Sequence, residues 1–223
     1  MARLSVLALF TFCFLFLGGA YADSFDETGD AGSLLGTSQF TVGTGSLTAI
    51  NGTLSDTDSA DMFKILITGG GTFSATTVGG GSFDSSLFLF DATGHGVYAN
   101  DDSVGFLAPA TLPAGDPLTP IASGSYFLLI TQCCVVPTSS GGEMFQTSAF
   151  NNLVSGPTGP GGASPISGLA GSADQSPAGG SYTITLTGAQ FVSSIPVPEP
   201  SSVLLIGVGM ASLLGWRRWK LGL

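Results

Sequence analysis

Carboxylates are the residues best placed to do chemistry in this chain. Asp56, Asp58 and Asp61 precede a strongly apolar alternating segment, and Asp84, Asp91, Asp101 and Asp102 surround a second one. Hard cations such as Ca²⁺ take six to eight oxygen ligands, which carboxylates on neighbouring turns can supply. Asp61, Asp84, Asp91, Asp101 and Asp102 are therefore the candidate metal ligands. Asp56-x-Asp58 resembles the opening of a calcium loop but lacks the following glycine and the distant Glu of an EF-hand. A second reading stays open, because Asp and Asn also initiate turns by accepting hydrogen bonds from their own backbone.

Other reactive groups are sparse. His95 is the one histidine, set between Gly94 and Gly96, and no Gly-x-Ser-x-Gly elbow occurs, so a His-dependent triad has nothing to build on. One histidine and two mature cysteines do not make a zinc site. Carboxylate pairs able to cleave glycosidic bonds depend on a separation that the sequence does not display. No catalytic residues are assigned, and the chain is expected not to be an enzyme. Cys133 and Cys134 are adjacent. Their Cα atoms, about 3.8 Å apart, fall below the usual disulfide range, and on a strand their side chains face opposite ways. The expectation is one buried and one exposed thiol, with a strained vicinal bond or an intermolecular link as the alternatives in an oxidising compartment.

Charge and composition frame these residues. The chain has 223 residues, 15 acidic and 5 basic, a net charge of −10 and only 9% charged residues. Four of the basic residues, Arg3, Arg217, Arg218 and Lys220, lie at the ends. The segment from Asp23 to Glu199 holds all 15 acidic residues against Lys64, so its net charge is 1 − 15 = −14. Such a surface repels phosphate backbones and excludes nucleic acid as a partner.

The ends carry transport signals. Arg3, an apolar run over 4–17 and the small-x-small triplet Ala20-Tyr21-Ala22 have the build of a signal peptide over 1–22, cut by signal peptidase before Asp23. The run is short of the roughly 20 residues a bilayer core requires. At the other end, Val197, Pro198, Glu199 and Pro200 precede an apolar stretch over about 201–215 and then Trp216-Arg217-Arg218-Trp219-Lys220. Proline suits a helix start, so a helix is expected from about Ser201. Fifteen residues span about 22 Å, a marginal crossing of the membrane, with the basic cluster on the cytoplasmic side.

Pro-Glu-Pro, a short apolar helix and an Arg-rich tail together resemble the PEP-CTERM sorting signal of Gram-negative bacteria, covering 196–223. The resemblance implies passage through the inner membrane and processing near Pro198-Glu199-Pro200 by an exosortase. The mature protein would then reside at the cell surface or in an extracellular matrix with exopolysaccharide. Val197, Pro198, Glu199, Pro200, Arg217 and Arg218 would be recognition residues, and Ala20, Ala22 and Asp23 would mark the signal cleavage site.

Between these signals, 23–195 reads as one secreted domain. Residues 23–199 hold 28 of the 34 glycines, about 16% against an average near 7%. Strand patterns over 63–67, 86–90, 96–99, 126–131 and 182–187, with weaker ones at 40–42 and 46–50, alternate with Gly, Ser, Asp and Asn turns. Asp91 to Gly94 forms the turn of a hairpin. This predicts an all-β fold, an antiparallel β-sandwich of jelly-roll type. Phe63, Phe83, Phe88 and Phe90 are expected in the core. The stretch over about 154–181, rich in Gly, Pro, Ala and Ser, reads as a long surface loop.

Asp61-Met62-Phe63-Lys64-Ile65, the block from Phe83 to Asp91, Gly94 and Asn100-Asp101-Asp102 resemble the bacterial pre-peptidase C-terminal domain. More narrowly, they are similar to the subgroup of those domains found with PEP-CTERM tails. Gly124-Ser125-Tyr126-Phe127-Leu128 adds weaker support. The resemblance implies a compact β-sandwich that serves as an accessory or binding module. The functional expectation is thus a non-catalytic surface or matrix protein. Its alternatives are a calcium-stabilised adhesion or assembly module and, less favoured by the residues, a hydrolase of matrix polymers.

Overall fold

The computed structural model describes residues 23–103, 109–146, 153–173 and 179–193. The signal peptide over 1–22 and the sorting segment over 196–223, with its expected helix, lie outside the described residues. Within them every regular element is a strand, and no helix is long and apolar enough to cross a membrane.

Two sheets form the body. The first contains β1 (Asp23–Asp26), β4 (Leu47–Leu54), β14 (Gly180–Thr187), β6 (Ser74–Thr76) and β9 (Thr111–Leu112), in that spatial order. The second runs β15 (Ala189–Gln190), β5 (Ala60–Ile67), β10 (Gly124–Gln132), β7 (Ser85–Asp91) and β8 (Gly96–Asn100), with β2 (Gln39–Phe40) also on β5. A smaller sheet joins β12 (Gly142–Glu143), β11 (Val135–Ser139) and β13 (Gly168–Gly171), and β3 (Val42–Gly43) pairs with β16 (Val192–Ser193). The all-β expectation holds, as does the hairpin of β7 and β8 around Asp91 to Gly94. The sheets are mixed rather than purely antiparallel. β1 runs parallel to β4, β2 to β5 and β16 to β3. Parallel neighbours need a crossover of a dozen or more residues, and the chain supplies one of that length from β1 to β4 and from β2 to β5.

Side-chain alternation explains how the sheets pack. In β5, Phe63, Ile65 and Ile67 face the first sheet, where Leu47, Ile50, Leu54, Ile184 and Leu186 meet them in one buried cluster. Leu87 and Leu89 of β7 and Leu128 and Ile130 of β10 point the same way. The result is a sandwich-like body with its main core between the two sheets. The intervening residues Met62, Phe88, Phe90, Phe127 and Leu129 face outward from the second sheet, yet they too are buried. Val136, Met144, Phe145 and Ile166 cover them, with Leu34, Leu35 and Leu169 alongside. A sheet covered on both faces needs strands that are apolar throughout, which is why the Leu-Phe-Leu-Phe and Phe-Leu-Leu-Ile runs sit in β7 and β10. Phe63, Phe83, Phe88 and Phe90 are all buried, as expected.

The stretch read as a surface loop does more than connect strands. It contains β13, which pairs with β11. Ser155 exchanges backbone hydrogen bonds with Ala99 at 2.8 and 2.9 Å, and Ile166 N–H donates to the Gly94 carbonyl at 2.9 Å. Ile166 is only 9% exposed. The low apolar periodicity that suggested a loop reflects a covering layer that contacts the sheet through a few side chains and closely approaching glycine backbone.

This second core makes a prediction. Phe145 is 1% exposed, with ring centroids 5.4 Å from Phe88 and 6.0 Å from Phe90. Phe145→Ala should destabilise the chain by about 3–5 kcal/mol, measured by denaturant unfolding. A covering layer that merely rests on the sheet would lose under about 1 kcal/mol.

Candidate metal centre

Asp61 is the second residue of β5, and its place in the alternation aims it inward, on the same face as Phe63 and Ile65. It lies at the end of the sandwich, and none of its surface is exposed. Tyr182 of β14, across the sandwich, donates its hydroxyl to Asp61 Oδ2 at 2.7 Å. Asp61 Oδ1 is fully buried and has no hydrogen-bond partner. A buried carboxylate oxygen without a donor is costly, so this atom calls for a proton or a cation.

The segment after β1 closes over the same point. Glu27 is fixed by two backbone donors, with Oε1 accepting from Ala31 N–H at 2.9 Å and Oε2 from Thr53 N–H at 3.0 Å. Asp30 Oδ1 accepts from Gly32 N–H at 2.7 Å, and the Gly32 carbonyl accepts from Met62 N–H at 2.9 Å. That last bond ties the segment to β5. Glu27, Asp30 and Asp61 each place a carboxylate oxygen within 4.8 Å of the others. Gly52, opposite Tyr182 in the pairing of β4 with β14, leaves the room: a Cβ there would lie 2.6 Å from Glu27 Oε2 and collide with the Tyr182 hydroxyl. An open polar cavity of about 240 Å³, lined by Asp30, Asp58 and Ser59 among others, lies against this end of the body.

The electrostatics follow from the geometry. Burial pushes the Asp61 carboxyl up to about 8; the Tyr182 hydrogen bond opposes this, while Glu27, Asp58 and Asp30 add to it. Burial and the Asp61 charge raise the Tyr182 hydroxyl, which keeps it a donor. The body's single Lys or Arg among the described residues, Lys64, offers no relief, since its ammonium sits 4.7 Å from the Phe40 ring centroid and 5.7 Å from that of Phe127.

The five carboxylates singled out from sequence do not form one site. Asp61 joins Glu27 and Asp30. Asp84, Asp101 and Asp102 form a separate acidic group near the β10–β11 turn, where burial first and Asp101 second raise Asp84 to about 6. Ser86 Oγ donates a hydrogen bond to Asp101 Oδ1. Asp91 lies at the opposite end of β7. Its Oδ1 accepts from Thr93 N–H, Thr93 Oγ1 and His95 N–H at 2.8, 2.7 and 3.0 Å, which is the turn role. Asp56 stands in the tight turn closed by paired hydrogen bonds between Ser55 and Asp58. Among the described residues, the Glu27, Asp30 and Asp61 group is the only trio of His, Cys, Asp or Glu whose ligand atoms converge in this way. Sequence reasoning missed Glu27 and Asp30, which come from a segment some thirty residues before β5. Of the sorting and cleavage residues, Asp23 opens β1, while Ala20, Ala22, Val197, Pro198, Glu199, Pro200, Arg217 and Arg218 lie outside the described residues.

The raised carboxyls fix a pH dependence. Asp61 and Asp84 hold protons in the folded state at pH values where the unfolded chain, with carboxyls near 3.9, has released them. Between about 4 and 8 the folded state therefore binds more protons, and stability falls as pH rises. In chelator, the melting temperature should decline from pH 5 to pH 8.5. Asp61→Asn should abolish the part of the decline above about pH 6.5, and an unchanged profile in that variant would show that Asp61 titrates normally.

The C-terminus connects the molecule to known proteins. Residues 196–218 match the PEP-CTERM protein-sorting motif, and the match does not extend into the body. No curated protein matches the chain. The motif implies an exported protein that is processed by an exosortase and sorted to the cell envelope.

Proposed function

We propose that the mature protein is a non-catalytic module of the cell surface or extracellular matrix, stabilised by a calcium ion at Glu27, Asp30 and Asp61. The observation that carries the calcium reading is that Asp61, whose Oδ1 is buried without a donor, places a carboxylate oxygen within 4.8 Å of those of Glu27 and Asp30. A donor set made of carboxylate oxygens, with no sulfur or imidazole, suits a hard cation. Two ligands about 2.4 Å from a shared Ca²⁺ lie at most about 4.8 Å apart, so the convergence of the three side chains fits that ion. Bound there, a divalent cation would offset the mutual repulsion of the three groups and tie the segment after β1 to β5 and β14.

The export and sorting half of the reading rests on the C-terminal motif. The acidic, sandwich-like body suits an accessory or binding module beside exopolysaccharide. The single histidine points away from catalysis, since His95 Nδ1 lies 2.8 Å from Thr93 Oγ1 and 3.8 Å from Asp91 Oδ2 in an open turn.

Two experiments test the two halves. Deleting residues 196–223 should abolish retention at the cell surface in a host that carries an exosortase, as seen by surface labelling; undiminished display would refute sorting by the tail. For the metal, Ca²⁺ at ten times its dissociation constant stabilises by about 1.4 kcal/mol. That corresponds to a rise of about 3–6 °C in the melting temperature of a protein this size. Asp61→Asn should lose the rise, and equal shifts in parent and variant would place the ion elsewhere.

A further inference from the structure

Cys133 and Cys134 are not on a strand. They form the two-residue turn between β10, ending at Gln132, and β11, beginning at Val135. The rule that neighbouring side chains face opposite ways therefore does not hold for them, and their Sγ atoms are in contact at 2.7 Å. Cys133 is buried at 8% exposure, and Cys134 is exposed.

The backbone at this turn is unusual. Cys134 has φ +75°, and among the described residues it alone, apart from glycines, has a positive φ. That conformation suits glycine or asparagine, and a cysteine held in it costs stability that the surroundings must sustain. They do so. Cys133 N–H donates to the Asp84 carbonyl at 2.9 Å, and the Thr131 hydroxyl donates to the Val135 carbonyl at 2.9 Å. Gly171 of β13 lies so close over the Cys134 carbonyl that any side chain there would collide with it. A turn clamped on both sides presents two adjacent sulfurs, one to solvent and one to the interior.

We infer that Cys133 and Cys134 are a redox modification site, at which export into an oxidising compartment closes a vicinal disulfide across the β10–β11 turn. The oxidant required is a disulfide, R–S–S–R, of a thiol-oxidising protein or of oxidised glutathione. The exposed Cys134 reacts first. Its thiol gives up a proton, its sulfur attacks one sulfur of the oxidant, the R–S–S–R bond breaks and one R–S⁻ leaves to take up a proton. The Cys133 thiol then gives up its proton, and its sulfur attacks Cys134 Sγ. The Cys134–S–R bond breaks and the second R–S⁻ departs and is protonated. Two protein thiols lose two electrons and two protons, and one oxidant disulfide becomes two thiols. Burial, the bond to Cys134 and the charges of Asp101 and Asp84 all disfavour a Cys133 thiolate, which matches its assignment to the second, intramolecular step.

The test uses the full chain, produced with its own export signals and recovered from the cell envelope after acid quenching. The sample is alkylated with iodoacetamide before and after reduction, and the peptide spanning both cysteines is read by mass spectrometry. The expected result is no alkylation before reduction, a mass lower by two hydrogens than the dithiol, and two alkyl groups after reduction. Alkylation of both cysteines without reduction would overturn the inference. So would a stable mixed adduct, or a dimer linked through Cys134.

Discussion

A carboxylate with no exposed surface, held between two sheets and bonded on only one of its oxygens, is the constraint around which this end of the molecule is organised. Asp61 occupies an inward position that the alternation of β5 would otherwise give to an apolar side chain. Leaving it ionised there requires a donor, a proton or a cation, because the interior does not solvate charge. Tyr182 supplies one donor. The pairing of β4 with β14 sets Gly52 opposite that tyrosine, and the missing side chain lets Glu27 enter. The parallel placement of β1 beside β4 delivers the Glu27 to Asp30 segment to the same spot. Topology and electrostatics thus meet at one residue.

The remainder of the body is governed by a second constraint, the burial of both faces of the second sheet. Unbroken apolar runs at 87–90 of β7 and 127–130 of β10 require a cover on the side away from the first sheet. The chain supplies it with β11, β13 and the glycine-rich residues between 153 and 173. The turn that carries Cys133 and Cys134 joins the sheet to this cover. Chemistry at the two sulfurs would act on the joint rather than on a free loop.

Much of the framework was legible in the sequence because its signals are local. Phe63-Lys64-Ile65-Leu66-Ile67 alternates over a single strand, and Asp91-Ala92-Thr93-Gly94 marks its own turn. The short strands β1, β6, β9 and β15 were not legible, since two to four residues carry too little periodicity and are strands only through their partners. The cation site was legible at one residue of three. Asp61 was among the five candidate carboxylates, and counting by twos back from Phe63 places it on the inward face. Glu27 and Asp30 were not, because a contact across a sheet crossover leaves no spacing rule to read. The adjacent cysteines gave the opposite lesson. Strand geometry predicts sulfurs that face apart, but a turn with one residue at positive φ brings them together.

The sorting motif implies delivery to the envelope of a body that carries fourteen carboxylates and one lysine between the signals. The most direct measurement of the central claim is an X-ray structure of the mature protein grown with Ca²⁺ near neutral pH, with anomalous data to identify the ion. The account predicts a calcium peak about 2.3–2.6 Å from oxygens of Glu27, Asp30 and Asp61, with Oδ1 of Asp61 among the ligands. A site without the ion at saturating calcium, with Asp61 Oδ1 bonded only to protein or water, would contradict it.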